Sequence, residues 1–313
     1  MSVMVTGGFG HIGSWVCHEL VKKGHTVLAV DRSYRDLSYL KGMEDNITHV
    51  SVDVLDQAAL YNLFREHKDS LDGVIHIAGL IGGPIFAKNP RDNIYLNVMG
   101  TVNMLEVSRL FKLRRFVYIS SGAVYGVRDN IPLEDEPLTP GDIYGAAKAS
   151  AEFLGIQYAN EFGLDFRSVR VYFAYGPGRL PSEVTPLHNA VFGCLVGDTT
   201  ITLPAGADQS IDFVYIKDIA RAICLVYERP ELQHHQYNVS SGVCYEIPEL
   251  IQKVADCAGR KVELSIGPGR IMPRGPSIDC SRLIGELGFA AEYDIAAGVE
   301  EYAEWLKNQI EAA

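Results

Sequence analysis

The first thirteen residues constrain this chain more than any other stretch. An apolar run that reads as a buried strand, Val3–Thr6, leads directly into Thr6-Gly7-Gly8-Phe9-Gly10-His11-Ile12-Gly13. Helical spacing begins at once, near 11–23. A strand that turns this sharply into a helix needs residues without a Cβ, for the tight turn and for close helix–strand packing. The pattern then repeats. Further apolar runs at 26–30, 48–52, 73–77, 116–120 and 166–171 read as buried strands. Stretches near 56–67, 93–111 and 143–162 carry helical spacing. Strand and helix alternating in this way predict an α/β chain with a Rossmann-type, doubly wound parallel sheet. Right-handed crossovers place the loops that follow the strands along one edge of that sheet.

The texture changes at Gly176-Pro177-Gly178, a strong turn signal. Beyond it come scattered helices, near 183–197, 217–228, 246–258 and 295–311, with short strands between them. The expected division is therefore a main domain over 1–175 and a smaller α+β substrate lobe over 176–313. A segment at about 211–230, with Phe213–Ile216 as a strand, is expected to return to the main domain. At 313 residues the chain can bury a large core without metal or disulfide staples.

Composition excludes some classes of partner. The net charge of −11 disfavours nucleic acid and anionic membrane surfaces, both polyanions. The six cysteines show no CxxC spacing and no metal-type grouping with histidine, so no metal is expected. Free thiols, no basic leader before the first strand and no membrane-length apolar run point to the cytoplasm.

Three motifs carry chemistry. In the glycine turn, free N–H groups at the helix start would face a pyrophosphate. Asp31, ending the second strand, can accept hydrogen bonds from an adenosine ribose and would repel a 2′-phosphate, which favours NAD over NADP. Its neighbour Arg32 is of the type that accommodates that phosphate. Asp53, after the third strand, either receives the adenine amino group or serves as a helix cap or loop residue. In Tyr144-Gly145-Ala146-Ala147-Lys148 the i, i+4 spacing puts both side chains on one helix face. A nearby ammonium and a positive nicotinamide would lower the phenol's pKa from its usual value near 10, making it a usable base. The run Ser120-Ser121-Gly122-Ala123-Val124-Tyr125-Gly126 closes a buried strand, where a serine can orient a substrate oxygen toward Tyr144.

Together these residues resemble the extended short-chain dehydrogenase/reductases of the NAD-dependent epimerase/dehydratase group. The glycine turn, Asp31, His76-Ile77-Ala78-Gly79, Asn97-Val98-Met99-Gly100-Thr101, the Ser121 segment, Tyr144/Lys148 and Tyr175-Gly176-Pro177-Gly178 follow the family's order and spacing. The resemblance implies NAD as cofactor, with contacts at Gly7, Gly10, His11, Ile12, Asp31, Arg32, Asp53, Val54, Ala78, Gly79 and Asn97, and with Tyr144 and Lys148 on the nicotinamide ribose. It implies Ser121, rather than Ser120, as the catalytic serine. It also implies a homodimer built on the helices near 90–110 and 143–162.

The departures from the family matter for substrate. Gly122 and Ala123 stand where dehydratases and decarboxylases carry acidic residues, and no cysteine takes the place of one. That leaves hydride chemistry at one carbon: epimerisation through a keto intermediate, or simple dehydrogenation. Phe173 replaces an asparagine, and Ile211 an arginine, that hold the diphosphate in nucleotide-sugar members. The loss of both contacts points to a substrate without a diphosphate; Phe173 is a candidate substrate contact, and Arg179 and Arg274 are the candidate anion binders. Three functions follow: a nucleotide-sugar epimerase, a dehydrogenase of a free sugar, sugar acid, polyol or hydroxy amino acid, and a catalytically silent NAD-binding protein.

Overall fold

The computed structural model describes residues 2–81, 88–181 and 186–311. Its centre is a seven-stranded, all-parallel sheet. Six strands come from the first 171 residues: β1 (Ser2–Thr6), β2 (Thr26–Val30), β3 (Ile47–Val50), β4 (Leu71–His76), β5 (Arg115–Ser121) and β6 (Phe166–Val171). They lie in the order 3-2-1-4-5-6, and the chain reverses direction across the sheet between β1 and β4. Ligands of such sheets bind beyond the strand ends at that reversal. Val3, Met4, Val5, Val74, Ile75, Phe116 and Val117 are fully buried, as strands covered on both faces require.

Helices α1 (His11–Lys22), α2 (Gln57–His67), α3 (Pro90–Ile94), α4 (Gly100–Leu110) and α5 (Ile143–Phe162) cover the sheet. One wide π-helical turn, Tyr95–Met99, joins α3 to α4 where the sequence predicts an uninterrupted helix. Two glycines let helix and sheet approach closely. A Cβ on Gly13 would stand 2.0 Å from the Gly7 carbonyl oxygen, and one on Gly155 would stand 2.1 Å from the Phe166 ring.

The rest of the chain builds the second lobe. Strand β7 (Phe173–Tyr175) pairs in parallel with β9 (Ser210–Tyr215), which pairs antiparallel with β11 (Cys244–Glu246). Strands β8 (Thr200–Leu203) and β12 (Glu263–Ile266) form a separate parallel pair. Helices α6 (Pro186–Val196), α8 (Ile247–Cys257) and α10 (Ile295–Glu311) pack on one another, and α9 (Ser281–Leu287) lies near the sheet edge. The first residues of the helix expected at 183–197 fall outside the described residues.

The return to the main sheet differs from expectation. Residues 213–215 belong to the small sheet, held there by the register Phe173 to Phe213. Helix α7 (Ile216–Glu228) does pack against α1 and strands β5 and β6. The strand that enters the main sheet is β10 (Gln236–Val239), beside β6 at its edge. Helix α7 is the crossover that delivers β10 in parallel beside β6.

Candidate active site

A cavity of about 440 Å³ opens along the strand ends, between the two lobes. Of the residues expected at the site from sequence, all but Asn97 line it. One half is shaped for a dinucleotide. Gly7 adopts φ +69°, and a Cβ there would stand 3.0 Å from the Ala78 nitrogen. Gly10 caps α1 in an extended conformation without a side-chain hydrogen bond, leaving first-turn N–H groups for an anion. Asp31 is fixed by accepting from the Phe9 N–H at 3.1 Å. Asp53 accepts from the Leu55 N–H at 2.9 Å in a loop turn, while the cap of α2 is Asp56. Asp53 thus lines the cavity and also holds its own loop. Arg32 reaches toward it, 3.9 Å from its carboxylate.

The other half carries the reactive side chains. Ser121 ends β5, and its hydroxyl accepts from the Ala123 N–H at 3.2 Å, starting a tight 3₁₀ turn over 122–125. Helix α5 begins at Asp142, whose carboxylate accepts from the Gly145 N–H at 2.7 Å. This cap sets the first turn, and with it Tyr144 and Lys148. The Ser121 hydroxyl hydrogen-bonds the Tyr144 phenol, whereas the Ser120 hydroxyl is buried without a partner. Lys148 donates to the Ile119 carbonyl at 2.9 Å. Its ammonium lies 4.9 Å from the Tyr118 ring centroid and 6.0 Å from that of Tyr144.

The electrostatics differ from the sequence-based expectation. Burial raises the Tyr144 phenol above its usual value, opposed by the positive charge of Arg274, the Ser121 hydrogen bond and Arg179. Lys148 is itself lowered to about 8 by burial. Without a cofactor the phenol is therefore protonated, and the cations that bias it toward ionisation are arginines of the second lobe. Sequence spacing could show the lysine but not the arginines, which arrive through tertiary packing.

Asn97 sits behind Gly79 instead of lining the cavity. The π turn rotates it inward, where its amide donates to the carbonyls of Asn93 at 3.0 Å and Leu80 at 3.2 Å. Its Oδ1 is buried without a partner, and a Cβ on Gly79 would stand 2.6 Å from it and 3.5 Å from the Lys148 Nζ. A buried amide oxygen left open beside an ammonium is a place for a bridging water. Asn97 is placed there by a turn whose width no sequence pattern announces.

On the substrate side, the space beside Gly122 is filled. A Cβ there would stand 2.4 Å from the Tyr172 ring, so an acidic side chain could not be accommodated without displacing that ring. Phe173 stacks on Phe213 at 6.1 Å and carries the Arg274 guanidinium 4.7 Å from its centroid. Arg179 has a buried Nε without a partner. Sequence reading missed His188, a single histidine on an otherwise apolar helix, whose Nε2 lies 2.9 Å from the Ala174 carbonyl. Among the described residues, no three of His, Cys, Asp or Glu gather as a metal site, and no helix is long and apolar enough to cross a membrane.

The chain is also similar to known proteins over nearly its whole length. Residues 3–240 match the model of the NAD dependent epimerase/dehydratase family. A UDP-glucose 4-epimerase of Mycolicibacterium smegmatis is 30% identical, the match covering 99% of each chain. A UDP-glucuronate 4-epimerase of Thermodesulfobacterium geofontis is 27% identical over 98% of this chain and 97% of its own. The crystal structure of Thermus thermophilus UDP-glucose 4-epimerase in complex with NAD superposes with a TM-score of 0.86 at 26% identity, covering 98% of this chain and 99% of that one. The chain is an NAD-dependent enzyme and belongs to the NAD-dependent epimerase/dehydratase family.

Proposed function

We propose that the chain is a nucleotide-sugar epimerase that oxidises one sugar alcohol to a ketone and re-reduces it on the opposite face. The observation that carries this reading is the meeting of Ser121, Tyr144 and Lys148 in a dinucleotide cavity, with Gly122 and Ala123 in place of acidic residues after Ser121. When bound, NAD accepts the hydride from the carbinol carbon, returns it later, and places a positive ring beside the phenol. Tyr144 takes the hydroxyl proton as the C–O bond becomes C=O, and gives it back on reduction. Ser121 hydrogen-bonds the substrate oxygen and holds it against the phenol. Lys148, anchored on the Ile119 carbonyl, keeps a positive charge behind Tyr144. Two electrons leave and return, so the net change is inversion at one carbon. The 4-epimerases among the relatives support this reading.

A second reading, a dehydrogenase of a non-nucleotide substrate, is favoured by one observation. Phe173 and Ile211, both buried, stand where diphosphate-binding side chains would be needed and offer no hydrogen bond. Purified protein incubated with UDP-glucose and UDP-glucuronate separates the two. The epimerase reading expects tightly retained NAD and sugar interconversion without accumulating NADH. Stoichiometric NADH formed from a free sugar, sugar acid or polyol, with UDP-sugars inert, would replace it with the second.

The same reading includes a cytoplasmic homodimer. Tyr95, Met99, Ile143, Phe153 and Phe162 leave a large apolar area exposed on α5 and on the helical run through the π turn. Sedimentation of Phe153→Glu tests it: the wild type is expected as a dimer and the variant as a monomer. A monomeric wild type would refute it.

A further inference from the structure

Four side chains able to carry positive charge converge where the cavity closes over Tyr144: His11, Arg179, His188 and Arg274. They come from the first turn of α1, the loop after β7, the first turn of α6 and the loop after β12. Burial and the charge of Arg179 hold both imidazoles neutral, His11 at about 3 and His188 well below its usual value. Among the described residues, neither arginine has a carboxylate partner. Arg270, nearby in sequence, does pair, with Asp129 at 3.0 Å. The Nε of Arg179 is buried without a hydrogen-bond partner among the described residues.

A desolvated guanidinium without counter-charge is costly; Arg179 is held down by burial and has no carboxylate partner among the described residues, and a cavity that keeps it beside Arg274 suits an anion. Their position says where that anion lies. Arg274 rests over the Phe173 ring at 4.7 Å and stands 6.0 Å from the Tyr144 ring. Its charge is the largest influence favouring phenol ionisation. The positive charge is therefore concentrated at the reacting end of the cavity.

We propose that the substrate is an acidic sugar whose carboxylate, carried on the same carbon skeleton and close to the oxidised carbon, is gripped between Arg179 and Arg274, with His11 and His188 as neutral hydrogen-bonding walls. This rests on the hydride-transfer reading of the same site. A nucleotide-linked uronate and a free sugar acid share this chemistry. Planar carboxylates suit two guanidiniums through charge-assisted, paired hydrogen bonds. The negative charge also explains how two arginines can flank a reacting alcohol with no carboxylate paired to either among the described residues.

The test compares substrates that differ only in the carboxylate, using NAD-loaded protein: UDP-glucuronate against UDP-glucose, and D-galactonate against galactitol. In the pair that turns over, the acid should be favoured by about tenfold or more in kcat/KM. Arg179→Met and Arg274→Met should each collapse that ratio, and the responding pair identifies the source of the carboxylate. Independently, malonate titrated into the NAD-loaded protein should shift the ring resonances of His11 and His188 saturably, and should not do so in the two arginine variants. A neutral substrate used as well as its acid, or malonate without a saturable shift, overturns the proposal. If malonate binds but none of the four compounds turns over, the carboxylate site stands and the failure falls on the hydride-transfer reading.

Discussion

Arg170 ties the catalytic helix to the sheet, and replacing it with methionine tests how the site is held. Arg170 lies on β6 and Glu152 on α5, and both are almost completely buried. The arginine donates through Nε to the two carboxylate oxygens at 3.0 and 3.2 Å. It also donates to the Tyr125 hydroxyl at 2.5 Å and the Glu134 carbonyl at 2.9 Å. One guanidinium thus joins the helix that carries Tyr144 and Lys148 to the turn that follows Ser121. Arg170→Met keeps most of the volume but leaves Glu152 buried and unpaired, which costs about 3–5 kcal/mol. With an unfolding entropy of about 2.1 cal/mol/K per residue, a chain of 313 residues should then lose about 5–8 °C in Tm. The assay is thermal and urea unfolding of wild type, Arg170→Met and the double variant Arg170→Met/Glu152→Met. The double variant should recover most of the loss, because no charge remains buried. A single variant within about 1 kcal/mol of wild type, or a double variant as unstable as the single one, would refute the reasoning.

Three further outcomes are expected. Tyr144→Phe should abolish turnover, a loss of about 100-fold or more, with Tm nearly unchanged; retained turnover would remove the phenol as proton acceptor. Gly13→Ala should eliminate NAD binding in calorimetry, because its Cβ would stand 2.0 Å from the Gly7 carbonyl oxygen and must distort the phosphate turn; normal affinity would contradict the cradle. Lys148→Met should raise stability near neutral pH by on the order of 1–2 kcal/mol while losing activity. The folded-state pKa of Lys148, about 8, lies below the usual 10.5, so its burial penalty is full below pH 8 and is relieved between there and pH 10.5. The stability advantage of the variant should therefore disappear over that window; an advantage independent of pH would contradict the assigned cause.

Much of this protein was legible without coordinates. The glycine turn, the six alternating strands and the Tyr144/Lys148 spacing are local patterns. They follow from backbone geometry that repeats with a fixed period, and a period can be read along a chain. Helix α5 occupies the residues predicted from helical spacing, 143–162; Asp142 caps it and Gly163 ends it in a left-handed conformation. The substrate lobe was less legible. Residues 213–216 read as a strand but carry no mark of the sheet they join, since β-pairing partners are set by packing across long sequence separations.

The sequence by itself determined the fold class, the glycine turn and the spacing that puts Tyr144 and Lys148 on one helix face, because each depends on neighbours within a few residues. Only the tertiary structure decided the rest: the π turn that moves Asn97 behind Gly79, the Arg170–Glu152 bridge, the protonated phenol, and the meeting of His11, Arg179, His188 and Arg274. Burial and the mutual distance of charges set those properties. Both come from segments as far apart as residues 11 and 274, whose approach is fixed only when the core closes between them.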